Sequence, residues 1–355
     1  MPLRVESVVL GPQVNQYAGK GQRRSWLQDV AETATHFERA GLDGINTPEA
    51  GHDPFLPLTL AAEHTSRVSL GTNIAVSFPR SPMVTAQIAW DLQSYAKGRF
   101  NLGLGSQVKG HNVRRYSTPW PSGPGPRMRE YILCMKAIFQ SFQNPDNSTY
   151  YEGDHYQFSL MAPFFNPGPS DYPEIPLYLA AANTYMAALA GELGDGLRLH
   201  PISTFSYTRD AIHKAVIEGA IRSGRTLADI DLVGTPFMVV EKDEASLEKA
   251  KQGLRQKISF YASTRSYHAI LKHHDWEDIG LELFALSKAG KWTEMPELIS
   301  DDMLDEWAVA GTYDDFADKL KRRSNGVFNS ISLDLPHTVL EDFDWLQQAT
   351  KTLQS

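Results

Sequence analysis

Residues 68–105 read VSLGTNIAVSFPRSPMVTAQIAWDLQSYAKGRFNLGLG, and their pattern is that of one strand–helix–strand unit. VSLGTNIAV (68–76) has the pattern of a strand buried on both faces, except for the amide side chain of Asn73 at its centre. A helix pattern follows, opened by a Ser-Pro cap pair, and RFNLGLG (99–105) is the next strand. A buried amide needs a hydrogen-bonding partner, so Asn73 is a candidate for a special role.

The alternation of strand and helix patterns continues in both directions from this unit. The other predicted strands are VESVVL (5–10), DGINT (43–47), PLYLAA (176–181), GLRLH (196–200), DLVGTPFMVV (231–240) and SISLDL (330–335). Eight such units favour a (β/α)8 barrel over an open doubly wound sheet, and GLGS (103–106) lacks the GxGxxG spacing of a nucleotide-binding sheet. We therefore predict an α/β TIM barrel that forms one domain over residues 1–355.

Two insertions interrupt the repeat, at about residues 144–175 after the fourth helix and 259–305 after the seventh. The first is rich in Tyr, Pro and Gly and predicts a short hairpin near 150–158, whereas the second carries short helical patterns, of which WTEMPELI and DDMLDEWAVAG are the clearest. Insertions of this kind often fold over a barrel mouth and shape its pocket. Four aromatic residues of the first insertion hint at an apolar lid, although core packing explains them equally well: Phe158, Phe164, Phe165 and Tyr172.

Composition excludes several classes of protein. The net charge of −8 argues against nucleic acid or an anionic membrane as a general partner, because neither would meet a basic field. No run approaches the roughly 18 apolar residues of a membrane span. The single cysteine, Cys134, rules out an intramolecular disulfide and lies in an apolar helix pattern, which predicts an inert core thiol and a cytoplasmic protein.

In a TIM barrel, the loops after the strands carry the chemistry. The loop after the second strand, TPEAGHDPF, holds Glu49 and His52, and either side chain is suited to donate or accept a proton. Asp53 has the simpler expected role of capping the next helix.

Two further loops offer places for an anion. After the fourth strand, four basic side chains cluster in an otherwise acidic chain and suit a phosphate or carboxylate group, unless they only form an exposed helix face: Lys109, His111, Arg114 and Arg115. After the fifth strand, Ala182, Asn183 and Thr184 precede a helix whose free N–H groups form a phosphate seat or are simply capped.

No metal site is predicted. His273 and His274 are adjacent, and adjacent side chains on a helix point about 100° apart, so they rarely share one ion. The first strand has no following HxH pair, and the chain has no GxSxG motif of a serine hydrolase.

The segments LGTNIAVSFPRSPMVTAQIAWDLQSYAKGRFNLGLGSQVKGH and DGINTPEAGHDPFLPL resemble the bacterial-luciferase-like superfamily of flavin and deazaflavin enzymes. Within it, the chain is most similar to the branch that uses coenzyme F420. The resemblance implies a barrel with insertions and a non-proline cis peptide at Asn73–Ile74, in a bulge that supports the cofactor ring. It also implies that Ser106, Gln107 and His111 contact the ring or its ribityl chain. By the same resemblance, the turn at 182–184 contacts the phosphate of the cofactor.

The sequence departs from this family in the loop after the second strand, where Ala50 occupies a position that holds histidine in several members. Glu49 and His52 therefore share the predicted acid–base role. The resemblance implies F420-dependent hydride transfer to or from a small organic substrate. The alternative is a two-component monooxygenase that takes reduced FMN from a separate reductase, and a third option is a non-catalytic flavin-binding protein. A separate flavin or F420 reductase and a homodimer are possible partners.

Overall fold

The computed structural model describes residues 2–9 and 26–355, and within them the strands form a closed barrel and two small sheets. The strands in chain order are β1 Arg4–Val8, β2 Gly44–Thr47, β3 Ser69–Thr72, β4 Ala75–Val76, β5 Phe100–Gly105, β6 Tyr151–Glu152, β7 Gln157–Phe158, β8 Leu177–Ala181, β9 Gly196–Leu199, β10 Asp231–Gly234, β11 Phe237–Glu241, β12 Ala308–Thr312 and β13 Ser330–Leu333.

Eight parallel strands close the barrel in the order β3-β2-β1-β13-β10-β9-β8-β5, and β3 pairs with β5 to complete the ring. The closing register places Leu70 opposite Phe100. β4 pairs with the end of β5, so it continues the path of β3 after a break at residues 73–74. The predicted TIM barrel is confirmed. The last residue of the first predicted strand, Leu10, lies outside the described residues.

Helices cover the outside of this barrel and connect its strands. In chain order they are α1 Leu27–Arg39, α2 Leu56–His64, α3 Pro82–Tyr95, α4 Lys109–Arg114, α5 Pro124–Gln143, α6 Thr184–Leu193, α7 Phe205–Tyr207, α8 His213–Arg222, α9 Glu244–Ala262, α10 His268–His273, α11 Glu277–Lys288, α12 Asp301–Trp307, α13 Phe316–Ser324, α14 His337–Leu340 and α15 Phe343–Gln354. One turn of π-helix, Thr208–Ile212, joins α7 to α8, and short 3₁₀ turns lie at Pro163–Phe165, Leu227–Asp229, Arg265–Tyr267 and Met295–Leu298.

The predicted seventh strand, 231–240, is wrong as a single element. β10 stays in the barrel, whereas β11 leaves it and pairs in parallel with β12 along its whole length. Pro236 lies between the two strands and has no backbone N–H to donate to a barrel neighbour. The DDMLDEWAVAG pattern is accordingly half helix and half strand, because α12 ends at Trp307 and β12 begins at the next residue.

The first insertion contains the predicted hairpin, since β6 and β7 pair antiparallel. Phe164 and Phe165 are 90% and 69% exposed on a 3₁₀ turn, so core packing does not explain them and their lid role stays a prediction. Of the other two aromatic residues, Phe158 is buried in the core. Tyr172 is partly exposed, and its ring lies beside Gly98, two residues before the start of β5.

The core between barrel and helices is apolar, and it includes Cys134, whose thiol is buried and whose pKa is raised to about 11 by that burial. This confirms the predicted core thiol. In the part of the chain that the structure describes, no helix is both long enough and apolar enough to cross a bilayer.

Candidate active site

The centre of the candidate site is the break between β3 and β4, where the Asn73–Ile74 peptide bond is cis. The Asn73 N–H donates to the Thr47 carbonyl at 2.8 Å, and the Ile74 carbonyl accepts from the Glu49 N–H at 3.2 Å. The side-chain amide of Asn73 is partly exposed and has no hydrogen-bond partner among the described residues. The strand end is therefore held through its backbone, and the amide stays open to a ligand.

Ile74 packs directly against the end of β5. A Cβ atom added at Gly105 would collide with the side chain of Ile74, so this position requires glycine for a steric reason. The close approach brings the β3–β4 break and the β5 loop into one surface. Cofactor residues predicted from two separate loops thus meet at the barrel mouth.

Glu49 fixes this surface from the β2 side, and its side chain is only 7% exposed. Its Oε2 atom accepts from the Val76 N–H at 2.7 Å and from Arg80 Nη1 at 2.6 Å. Its Oε1 atom accepts from the Tyr116 hydroxyl at 3.2 Å. Both carboxylate oxygens are thus engaged, in an arrangement that ties the loops after β2, β4 and β5 together.

The other two charged groups of the β2 loop have different surroundings. Asp53 caps α2, as expected, because its Oδ1 atom accepts from the N–H groups of Phe55 and Leu56, and its Oδ2 atom pairs with Arg80 at 3.1 Å. His52 is exposed, and its ring lies 5.0 Å from the Trp26 ring. Within residues 2–9 and 26–355 the imidazole makes no hydrogen bond. Of the two predicted acid–base residues, His52 alone presents an uncommitted side chain.

The loop after β5 presents the predicted basic cluster on the short helix α4. Lys109, His111 and Arg114 are exposed and form no ion pair with a carboxylate of the described chain, whereas Arg115 donates to the Ala50 carbonyl. The positive charges of Lys109 and Arg114 are therefore available to an anion beside the mouth.

Ser106 and Gln107, which open this loop, are half-buried. The Ser106 carbonyl accepts from the Asn112 side chain at 2.8 Å, and the Gln107 carbonyl oxygen Oε1 accepts from the Val108 N–H at 2.9 Å. Gln107 has a left-handed backbone with φ of 54°. The loop is thus held by its own amides, and the Ser106 hydroxyl makes no hydrogen bond within the described residues.

The turn after β8 lies at the start of α6. Asn183 is the N-cap, and its Oδ1 atom accepts from the Met186 N–H at 3.0 Å, which confirms the capping interpretation. Ala182 is half-buried, and Thr184 is exposed at the first helical position. The ligand role of this turn stays a prediction.

Sequence reasoning missed a charged layer inside the barrel. Arg198, which is 2% exposed, donates to Glu6 at 2.9 Å, to Asn46 at 2.8 Å and to Asn101 at 2.9 Å. The available signal was a charged residue within the strands VESVV and GLRLH, where a buried parallel strand is normally apolar. Gly71 faces this layer, and a Cβ there would collide with the amides of Asn46 and Asn101.

His200 lies in the loop 200–203, one of the post-strand loops in which the sequence predicts chemistry, but the sequence assigned it no specific role; it directly follows β9 at the mouth. Its ring lies between those of Tyr261 and Tyr267, at 5.0 and 4.9 Å. Burial, and secondarily the charge of Lys257, lower its pKa to about 4. The neutral imidazole is a fixed part of the mouth.

No group of three or more potential metal-ligating side chains is assembled in the described ranges 2–9 and 26–355. The rings of His273 and His274 are perpendicular and 5.1 Å apart. His274 instead shares a hydrogen bond with Thr204 at 2.8 Å and stacks on Trp276.

The structure has a closed parallel barrel with a cis peptide after its third strand. In addition, the family model described as luciferase-like monooxygenase matches residues 7–330 of this chain. The chain belongs to the luciferase-like monooxygenase family. An uncharacterised protein of Mycobacterium tuberculosis (strain ATCC 25618 / H37Rv) is 41% identical over 89% of this chain and 95% of its own length. The F420-dependent glucose-6-phosphate dehydrogenase of Amycolatopsis mediterranei is 27% identical over 75% of this chain and 80% of its own.

Solved structures share the fold of this luciferase-like chain. The coenzyme F420-dependent tetrahydromethanopterin reductase of Methanopyrus kandleri superposes with a TM-score of 0.77 at 19% identity, over the whole of both chains. The oxygenating constituent of 3,6-diketocamphane monooxygenase of Pseudomonas putida, in complex with FMN, superposes with a TM-score of 0.66 at 14% identity, over 100% of this chain and 98% of that one. Relatives in this family therefore use F420 or FMN, and the family supports an oxidoreductase with a flavin or deazaflavin cofactor.

Proposed function

We propose that this luciferase-like protein is a coenzyme F420-dependent oxidoreductase that transfers hydride to or from a small organic substrate. The observation that carries the proposal is the exposed cationic helix α4, whose Lys109, His111 and Arg114 lack carboxylate partners among the described residues. F420 carries a phosphodiester and glutamyl carboxylates, whereas FMN ends in one phosphate, so the unpaired charges of Lys109 and Arg114 beside the mouth suit the longer anionic tail.

The residues at the mouth fit a tricyclic ring. Asn73 offers an unpaired amide, and the contact of Ile74 with Gly105 leaves an apolar surface at the β3–β4 break. Ser106 and Gln107 border this surface, and Ala182, Asn183 and Thr184 lie at the N-terminus of α6, where helix N–H groups favour a phosphate. When bound, the deazaflavin supplies a hydride at its ring carbon.

The protein's own part in the chemistry is to orient the ring and to supply or remove a proton. We assign the proton to His52, because its imidazole is exposed at the mouth and free of hydrogen bonds within the described chain. Glu49 then acts as a positioning residue, since its two oxygens accept from Val76, Arg80 and Tyr116. The sequence predicted that Glu49 and His52 share the acid–base role. In this proposal His52 transfers the proton and Glu49 positions the loops.

The test is a side-by-side titration of purified apoprotein with F420 and FMN at several salt concentrations. We expect F420 to bind more tightly, and we expect its affinity to fall more steeply with salt than that of FMN. The double substitution Lys109→Gln, Arg114→Gln removes two of the unpaired charges, so it weakens F420 binding and flattens its salt dependence. Lys291→Gln, in an exposed pair with Glu294, is the matched control and leaves both unchanged.

The family's FMN members supply the second candidate function, a two-component monooxygenase that receives reduced FMN from a reductase. Tighter binding of FMN than of F420, together with oxygen consumption in the presence of reduced FMN, would establish this function instead. Cofactor binding without turnover on carbonyl, alcohol and nitro compounds would instead indicate a flavin-binding protein. A homodimer, a partner reductase, the single-domain boundaries and a cytoplasmic location stay predictions.

A further inference from the structure

One wall of the barrel mouth is aromatic and comes from two distant parts of the chain. It consists of His200, which directly follows β9, and of Tyr261 and Tyr267, which belong to the second insertion; we call these three residues the β9 wall. The Tyr267 ring stacks on the imidazole at 29° and 4.9 Å, and the Tyr261 ring meets it edge-on at 5.0 Å. Such contacts hold the imidazole in one plane.

The protonation state of His200 follows from its backbone contact. The Ile202 N–H donates to Nδ1 at 3.1 Å, so Nδ1 is an acceptor and the ring proton resides on Nε2. Because burial lowers the pKa to about 4, the ring is neutral at physiological pH. His200 therefore presents one uncharged N–H donor of fixed direction.

The polar tips of the β9 wall are uncommitted. Within the described residues, no hydrogen-bond partner is present for His200 Nε2 or for the hydroxyls of Tyr261 and Tyr267. These three atoms are not fully buried. Burial raises the pKa of Tyr267 to about 12, so that its hydroxyl keeps its proton. Three neutral donors thus remain accessible at one aromatic surface.

The wall is held in place by contacts of the segment after β9 with helix α12 and with the turn after α10. Trp307 Nε1 donates to the Ile202 carbonyl at 2.7 Å, and Ser206 donates to Glu306 at 2.8 Å. His274 adds a hydrogen bond to Thr204. A surface fixed in this way loses little conformational entropy when a ligand binds.

Charge at this wall disfavours an anion. The nearby cation, Lys257, already pairs with Asp334 at 3.2 Å, and His200 contributes no positive charge. Neither His200 nor Lys257 therefore offers a free counter-charge to an anionic substrate, whereas an uncharged oxygen acceptor would gain hydrogen bonds.

We propose that the β9 wall is the substrate-recognition surface and that it selects an uncharged ketone, aldehyde or alcohol with an apolar body. In this arrangement His200 Nε2–H donates to the substrate oxygen, and the rings of Tyr261 and Tyr267 cover the apolar part. The proposal rests on the proposed function, because it places the substrate at the mouth where the cofactor ring binds.

The experiment uses protein labelled with ¹⁵N-histidine, with F420 bound, or with FMN if that is the cofactor it takes. Cyclohexanone is the probe, and cyclohexanecarboxylate is the matched anion. NMR should show the His200 Nε2 resonance moving on addition of cyclohexanone, and the resonance is assigned by its loss in His200→Phe. Loss of one neutral donor should weaken cyclohexanone binding about tenfold in His200→Phe, and Tyr267→Phe should weaken it several-fold.

Tyr313→Phe is the matched control, since the Tyr313 ring packs on Trp345 rather than on the β9 wall, and it should bind cyclohexanone as the wild type does. Urea midpoints of all variants separate lost recognition from lost folding. Unchanged cyclohexanone affinity in a folded His200→Phe variant, no binding by the wild type, or tighter binding of the carboxylate would each overturn the proposal. If neither cofactor binds, the proposed function fails, and the same titration of the apoprotein still decides the role of the wall.

Discussion

Substitution of Glu49 distinguishes a positioning carboxylate from a proton donor. In Glu49→Ala, the Val76 N–H and the Tyr116 hydroxyl lose their acceptor, and Arg80, whose side chain is 18% exposed, keeps Asp53 and the Val76 carbonyl. Breaking a fully buried ion pair costs about 3–5 kcal/mol. Because Arg80 retains a partner and some solvent, we expect the lower end, about 3 kcal/mol, for the loss in unfolding free energy.

Glu49→Gln changes much less of this arrangement. The amide oxygen still accepts from Val76, but the charge opposite Arg80 is lost, so we expect a cost of about 1–2 kcal/mol, close to that of one hydrogen bond to a charged group. The exposed Glu341→Gln, which pairs with His337 on the surface, should change stability by less than about 0.5 kcal/mol.

Urea denaturation measures these losses, and cofactor affinity and kcat/KM are then measured well below the unfolding midpoint. A positioning role predicts that Glu49→Gln keeps cofactor affinity and activity within about tenfold of the wild type, whereas His52→Gln loses about 10²–10⁴-fold in kcat/KM with unchanged stability. The opposite result, a stable Glu49→Gln variant that loses its activity while His52→Gln remains active, would contradict the positioning role. Glu49 would then be the proton donor.

Three further predictions concern stability. Arg198→Met leaves Glu6, which is 1% exposed, without its cation, so urea denaturation should show a loss of about 3–5 kcal/mol, and a loss under 1 kcal/mol would contradict the ion pair. Asn183→Ala removes the α6 cap and should cost about 1 kcal/mol, while Asn183→Asp should retain most of the stability. Since the pKa of His200 is lowered to about 4, the unfolded chain binds a proton first as pH falls from about 6.5, so stability should decline between these values; His200→Gln should lose this slope in denaturation curves recorded across that range.

The barrel could be predicted from the amino-acid sequence, because each strand and helix leaves a local pattern. Alternating apolar runs, cap residues such as Ser81 and Asp53, and turn glycines depend on neighbours within a few positions, so they can be read along the chain. The sequence also located the mouth loops and, through its family resemblance, pointed to the bond between Asn73 and Ile74, which the structure has as cis.

The local sequence pattern did not predict where the chain leaves the barrel sheet and pairs with a different strand. Residues 231–240 are mostly apolar, yet β11 pairs with β12, about 70 residues away in sequence, rather than with a barrel strand. An apolar run shows that a segment is buried, but its partner depends on contacts that are distant in the chain.

Which polar residues are available for chemistry depends on contacts that form only when the chain folds. Glu49 and His52 are three positions apart and looked equivalent in sequence, but contacts with Val76, Arg80 and Tyr116 occupy one of them and leave the other exposed. His200 likewise acquired its neutral, oriented imidazole from tyrosines more than 60 residues away. Hydrogen-bond partners and burial set the state of a titratable group, and both arise from residues that folding brings together.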